Sequence, residues 1–356
     1  AAGAIMVGKT NTPEWGAGSH TFNEVFGVTR NPWDTARSAG GSSGGGAVAL
    51  ACRMVPLADG GDLGGSLRNP AAWNGVVGLR PTPGVVPDWP SLTPWLPFSV
   101  PGPMGRTPAD VALFLGAMAG PDPRAPLSQR AAPLDLAGPL DAELRGRRVA
   151  WSPSLGGLPV ERPVADVVAA AVTRLGEIGL DVVADEPDLS RADHIFETWR
   201  AFMFVVSLGD LYDSDGEQMK ATVRWNVERG RALTSADMVA AARLHAELGD
   251  HVSAFFERYD YLACPVTQVE SFPVETEYPQ AVAGVPMASY LEWMRSCSRV
   301  TTMCCPAISI PAGTSAAGLP VGLQLVARPF AERALLEVAH AVDELTHYSA
   351  AMPPVE

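Results

Sequence analysis

Lysine is almost missing from this chain: Lys9 and Lys220 are the only two among 26 basic residues in a length of 356. No block of lysines and arginines occurs, and the formal net charge is −13. That argues against a nucleic-acid partner, which needs a basic face. No run of 18 apolar residues is present, so no membrane span is expected. The first residues carry no basic region ahead of an apolar core and do not read as a signal peptide.

Cysteine pairs at metal or redox spacing are lacking too. Cys52, Cys264, Cys297, Cys304 and Cys305 form no Cys-x-x-Cys unit, which argues against a zinc or thioredoxin-like site. Their odd number in a chain this long reads as free thiols in a reducing compartment, the cytoplasm, buried as small apolar side chains. His245 and His251 stand six apart and share no helical face, so they make no metal pair. No metal and no organic cofactor is expected.

What the chain does hold is an apolar fraction of 47% against 18% charged residues, a globular composition with a large core. The length suits one α/β enzyme domain over residues 1–356. Apolar runs predict a buried strand at 4–7 and further strands at 76–78, 148–151, 180–183, 261–266, 307–311 and 321–327. Periodicity predicts helices at 47–55, 164–180 and 332–345. Residues 108–120 read as another, with Pro108 in the first turn, Asp110 near the start and Gly120 at the end. The proline-rich stretch 121–145 reads as a surface connection. Residues 190–260 read as mostly helical, anchored by Trp199, Phe202, Phe204, Trp225, Met238, Leu244 and Phe255. Strands interleaved with helices at this spacing predict an α/β fold, a sheet covered by helices on both faces.

Chemistry concentrates in residues 40–68. Gly40-Gly41-Ser42-Ser43-Gly44-Gly45-Gly46 places five glycines around two serines. Glycine has no side chain to pack; it permits positive φ and lets backbone N–H groups approach a ligand. Successive N–H groups of such a turn form an anion-binding concavity, and the helix that follows points its positive end at the same spot. In Gly61-Asp62-Leu63-Gly64-Gly65-Ser66-Leu67-Arg68 a second serine follows paired glycines. The N–H groups of Leu63, Gly64, Gly65 and Ser66 are candidates to converge on a developing oxyanion. Asp62 and Arg68 flank the turn and are placed to pair across it. Either loop alone reads as an ordinary turn; Ser42 and Ser66, 24 residues apart around one helix, read together as a site. A second pattern overlaps the first: Gly41-Ser42-Ser43-Gly44-Gly45 fits the Gly-x-Ser-x-Gly nucleophile elbow, with Ser43 as nucleophile and Asp250/His251 or Asp343/His347 as partners. That reading leaves the Gly64-Gly65-Ser66 turn without a role.

The two serine turns, with Asn69-Pro70-Ala71-Ala72-Trp73-Asn74-Gly75 and Gly78-Leu79-Arg80-Pro81-Thr82-Pro83-Gly84 after them, resemble the amidase-signature family. The likeness extends upstream through Gly8-Lys9-Thr10-Asn11-Thr12-Pro13-Glu14 and downstream to Gly102-Pro103-Met104-Gly105-Arg106 and to the segments 306–313 and 318–324. Residues 190–260 match least and form the part that varies with substrate. The resemblance implies a mixed β-sheet between helical layers. It implies a Ser–cis-Ser–Lys triad with Ser66 as nucleophile and Ser42 as proton relay after a cis peptide bond, with Ser43 in support. The activity implied is hydrolysis of small-molecule carboxylic amides through a seryl acyl-enzyme, with a homodimer as the candidate assembly.

The lysine of that triad lies upstream of the segment that matches Gly8-Lys9, and Lys9 matches a different family position. Lys220 falls in the variable helical part, where solvent exposure is expected. The chain is therefore expected to be N-terminally incomplete. The alternatives are an inactive amidase-like binding protein and the A component of an amidotransferase, which shares the signature but works with partner proteins on charged tRNA. The acidic charge and the divergent loop 89–98 weigh against the latter. Trp15, Gly16, Trp89, Trp95 and Phe98 lie in loops near the signature and are candidates to line an apolar pocket, so the expected substrate carries an aryl or hydrophobic acyl group.

Overall fold

Along the strand Ala307–Thr314, Ile308 and Ile310 turn to one side of the main sheet and Ala307 to the other. Tyr261 and Ala263 divide from Leu262 and Cys264 in the same way. This is the period-2 alternation of strands buried on both faces. The computed structural model describes residues 2–130, 136 and 138–354.

Among the described residues the main sheet has eight strands: β1 (Leu57–Asp62), β2 (Val77–Arg80), β3 (Val100–Gly105), β4 (Arg148–Trp151), β5 (Asp181–Ala184), β6 (Tyr261–Pro265), β7 (Ala307–Thr314) and β8 (Pro320–Ala327). Their spatial order is β1-β3-β2-β7-β8-β6-β4-β5. Neighbours run antiparallel from β1 to β6, while β6–β4 and β4–β5 are parallel. The sheet is therefore mixed, an α/β fold as the sequence suggested. Helices α1 (Gly44–Ala51) and α2 (Arg68–Asn74) lie beside β1 and β2. One face is covered by α3 (Pro108–Met118), α4 (Arg162–Leu175) and the last helix, Glu332–Thr346. The other carries α5 (Ala192–Asp215), α6 (Ala221–Arg231), α7 (Ser235–Phe256) and α8 (Arg295–Thr302); Glu332–Thr346 is α9. Among the described residues no helix is long and apolar enough to cross a membrane.

Local chemistry explains the helix starts. Thr107 caps α3 in a capping box with Asp110, with proline at the first turn, and Thr234 with Asp237 does the same for α7. The helical reading of 190–260 becomes α5, α6 and α7, with Phe204 and Phe255 buried and Trp199, Phe202, Trp225, Met238 and Leu244 half-buried. Part of the proline-rich connection, 131–135 and 137, lies outside the described residues.

The strand expected at 4–7 does not form. Ile5, Met6 and Val7 lie exposed in an extended segment that pairs with no described strand. Apolar residues make a strand only where a neighbour takes their N–H and C=O groups. The expected burial of this segment is corrected accordingly.

Candidate active site

Ser42 and Ser43 end the glycine turn at the N-terminus of α1, and Ser66 sits two residues before α2. One backbone bond joins the two turns: Ser43 N–H donates to Ser66 O at 3.1 Å. The Gly41–Ser42 peptide bond is cis. Ser42 is half-buried and Ser66 is 8% exposed. Among the described residues neither hydroxyl has a hydrogen-bond partner.

A buried charge cluster shapes the Ser66 turn. Asp62 Oδ1 accepts from Gly65 N–H at 3.0 Å and Oδ2 from Leu67 N–H at 3.2 Å. The Arg68 guanidinium grips the same carboxylate through Nε (3.0 Å) and Nη2 (2.8 Å), and its other donors reach Cys297 O, Gln324 Oε1 and Thr301 Oγ1. Burial opposes ionisation of Asp62, but Arg68, Arg80 and the Gly65 N–H outweigh it and hold the carboxyl well below its usual range. The expected pairing of Asp62 with Arg68 is thus present, fully buried and bidentate. Gly65, expected among the oxyanion donors, directs its N–H to Asp62 instead. The N–H groups of Leu63, Gly64 and Ser66 have no backbone partner among the described residues.

Arg80 is the residue that sequence reasoning passed over. It stands 18 positions from Asp62, yet its Nη1 donates to Asp62 O at 2.5 Å and to Phe98 O at 2.9 Å, and lies 3.4 Å from Asp62 Oδ1. The only signal available was an arginine inside an otherwise apolar buried strand.

The Ser42 turn is held from the other side. Thr21 Oγ1 donates to Gly40 O at 2.8 Å. His20 Nε2 donates to Val274 O at 2.9 Å, which leaves Nδ1 to accept from Ser38 Oγ at 2.7 Å, and that oxygen accepts from Gly40 N–H at 3.0 Å. Burial, reinforced by the Lys220 charge, lowers the His20 pKa below its ordinary value, while the Val274 bond and Glu277 oppose that. Asn69, on α2, donates to Ser19 Oγ at 3.0 Å and ties this loop to the Ser66 side.

Of the expected pocket residues, Gly16 comes nearest: a Cβ there would stand 3.8 Å from Ser42 Oγ. Trp15 beside it is 58% exposed. Trp89 lies under Arg124 at 3.9 Å, and Trp95 is 67% exposed. The aromatic of that loop tied to the Ser66 turn is Phe98, buried against Trp199 and His245. Two side chains absent from the expectation, Met294 and Phe196, press on Gly64; its missing Cβ would meet Met294 Cε at 2.8 Å and Phe196 Cζ at 3.1 Å.

Lys220 is not exposed as expected. Its side chain is 13% accessible; Nζ pairs with Glu277 at 3.1 Å, donates to Ala17 O at 3.3 Å and sits 4.2 Å from the Phe22 ring centre. Burial lowers its pKa and Glu277 raises it. Lys9 is exposed. The elbow reading gains no support: Ser43 hydrogen-bonds none of Asp250, His251, Asp343 or His347, and Asp250 and His251 lie exposed on α7. Among the described residues no three His, Cys, Asp or Glu side chains gather to hold a metal ion.

Comparison with known proteins identifies the family. The amidase family model matches residues 1–336. An acylamidase from Rhodococcus erythropolis is 36% identical over 344 residues, covering 95% of this chain and 71% of that protein. The A component of the glutamyl-tRNA(Gln) amidotransferase from Thermosynechococcus vestitus is 32% identical, covering 99% and 77%. The solved structure of a bacterial aryl acylamidase of the amidase-signature family superposes with a TM-score of 0.88 at 26% identity, over 96% of this chain and 73% of that one. A 6-aminohexanoate cyclic dimer hydrolase gives 0.85 at 27% identity, over 98% and 76%. This chain belongs to the amidase family and is a hydrolase of carboxylic amides.

Proposed function

We propose that Ser66 is the nucleophile and Ser42 its proton relay, and that Leu63, Gly64 and Ser66 N–H groups receive the oxyanion. The observation that carries this reading is the Ser43 N–H to Ser66 O bond, which locks the two serine turns together. A serine hydroxyl attacks only when its proton is taken, so Ser66 passes its proton to Ser42 and onward to a base. Attack on the amide carbonyl forms a tetrahedral oxyanion against the free N–H groups of the turn. Ser42 then delivers a proton to the leaving nitrogen, the C–N bond breaks, and water releases the acid from the acyl-enzyme. Each aligned oxyanion donor contributes about 3 kcal/mol in such sites.

The substrate is a small amide with an aryl or hydrophobic acyl group. Leu63, Phe196 and Met294 beside Gly64 supply the apolar wall that such a group needs. Faster turnover of short aliphatic amides than of aryl amides would reject this substrate class.

Treatment with a fluorophosphonate followed by peptide mass mapping tests the serine assignment. Label is expected on Ser66, absent in Ser66→Ala and slowed at least about 100-fold in Ser42→Ala. Label on Ser43, or amide hydrolysis that survives Ser66→Ala, would overturn it.

A further inference from the structure

The buried cluster under the Ser66 turn is not neutral. It holds two guanidiniums, Arg68 and Arg80, and one carboxylate, Asp62, all fully buried. An arginine side chain does not deprotonate in a protein. The thiols nearby add no negative charge: burial pushes Cys297 up to about 12 and Cys304 up to about 11. One positive charge is therefore uncompensated. Arg68 makes the closer contacts with the carboxylate, at 3.0 and 2.8 Å against 3.4 Å for Arg80, so most of the surplus resides with Arg80.

Arg80 makes its shortest contact with the Asp62–Leu63 peptide group. Its Nη1 donates to Asp62 O at 2.5 Å, and the N–H of the same peptide unit belongs to Leu63. A cation bound at a peptide oxygen draws electron density from its nitrogen and strengthens the N–H as a donor. We infer that Arg80 is a positioning and polarising residue for the oxyanion site, acting through the Asp62–Leu63 peptide group on the negative charge that develops when Ser66 attacks. The same Nη1 also donates to Phe98 O at 2.9 Å, which holds the guanidinium so that the charge is in place before reaction. The inference rests on Ser66 as nucleophile.

Arg80→Met, Arg80→Gln and Arg80→Lys are compared for kcat and KM on an aryl amide, for thermal unfolding, and for the amide proton shift of Leu63 by NMR. Ser66→Ala run in parallel tests the underlying reading separately, since loss of activity there does not depend on Arg80. In Arg80→Met, kcat is expected to fall roughly 10- to 100-fold with KM within about threefold, and the Leu63 amide proton to move upfield. Arg80→Lys is expected to recover most of kcat at similar stability. If the methionine variant does not fold, glutamine against lysine decides: glutamine keeps a donor but no charge and should remain slow. An unchanged kcat in a folded uncharged variant overturns the inference. So does a loss that lysine fails to restore, or a Leu63 amide proton that does not move.

Discussion

Gly65 rests directly on Cys297: a Cβ at position 65 would stand 2.6 Å from Cys297 Cβ. Gly65 also has φ of 110°, a conformation that side chains disfavour. The turn that carries Ser66 is therefore seated on α8, 232 residues further along the chain, with no room between.

Gly65→Ala should cost about 3 kcal/mol or more, combining backbone strain with overpacking. Amide hydrolysis should fall at least about 100-fold, since the turn cannot keep its place. Adding Cys297→Ala, which keeps the opposing Cβ, should not rescue either property. Urea denaturation and an amide assay on the single and double variants check this; a Gly65→Ala protein of ordinary stability would mean the contact does not set the turn.

Asp62→Asn removes the one anion facing two buried guanidiniums and should destabilise the fold by about 3–5 kcal/mol. The pH dependence follows from the direction of the shift. Asp62 is held below its ordinary value of 3.8, so its contribution is complete above that pH and is withdrawn as pH falls toward the folded value. Wild-type stability should drop on acidification below pH 3.8, and Asp62→Asn should show a shallower drop. Parallel curves for the two proteins would contradict this.

His20 gives a linkage of the same sign from a different cause, at higher pH. Its folded pKa lies below 6.5 because burial disfavours the imidazolium. The unfolded chain takes up the proton first, so stability is lost as pH falls below 6.5 and levels off below the folded value. Lys220 and Glu277 both face the ring, so the window shifts if either is changed. His20→Gln should lessen the slope of melting temperature against pH between about 7 and 5. It should not abolish that slope, since His245 is also lowered by burial. An unaltered slope would remove His20 from the acid response.

Lys220 anchors the loop over Ser42 to the start of α6. Its Nζ reaches Ala17 O and Glu277, and its backbone N–H donates to Glu14 Oε1 at 2.8 Å. Lys220→Met keeps the backbone bond but removes the cation paired with Glu277, which retains Thr222 Oγ1; because that carboxylate is partly exposed, the cost should stay near 1 kcal/mol. The effect should appear in the loop instead, as faster limited proteolysis within residues 14–18 and a raised KM with kcat little altered. Equal proteolysis of both proteins would show that the loop stands without this anchor.

Much of this molecule was open to reading along the chain, wherever the cause is local. Thr107 with Pro108 and Asp110 announces a capped helix because the capping bonds span three residues. The alternation of Ile308 and Ile310 announces a two-faced strand because the pleat repeats every second residue. The serine turns stand out because glycines on both sides allow backbone that other residues resist. A glycine-and-serine pattern of this kind also carries a family resemblance, and the family match spans the same residues.

What escaped that reading depends on which distant segments meet. Residues 4–7 looked like a core strand, but a strand exists only where another lies beside it. Lys220 looked solvated because it falls in the variable helical part, yet Glu14, Ala17 and Phe22 fold over it from some 200 positions away. Gly65 lost its place among the oxyanion donors to Asp62, three residues before it, through side-chain geometry that spacing does not specify. Arg80, an arginine in a buried strand, acquires meaning only once β2 pairs with β3 and its guanidinium reaches the Asp62 carbonyl. Sequence alone settled turn chemistry, periodicity and helix starts, which arise from a few adjacent dihedrals. Chain closure settled burial, charge pairing and the direction of each N–H, because those depend on neighbours that the order of residues does not name.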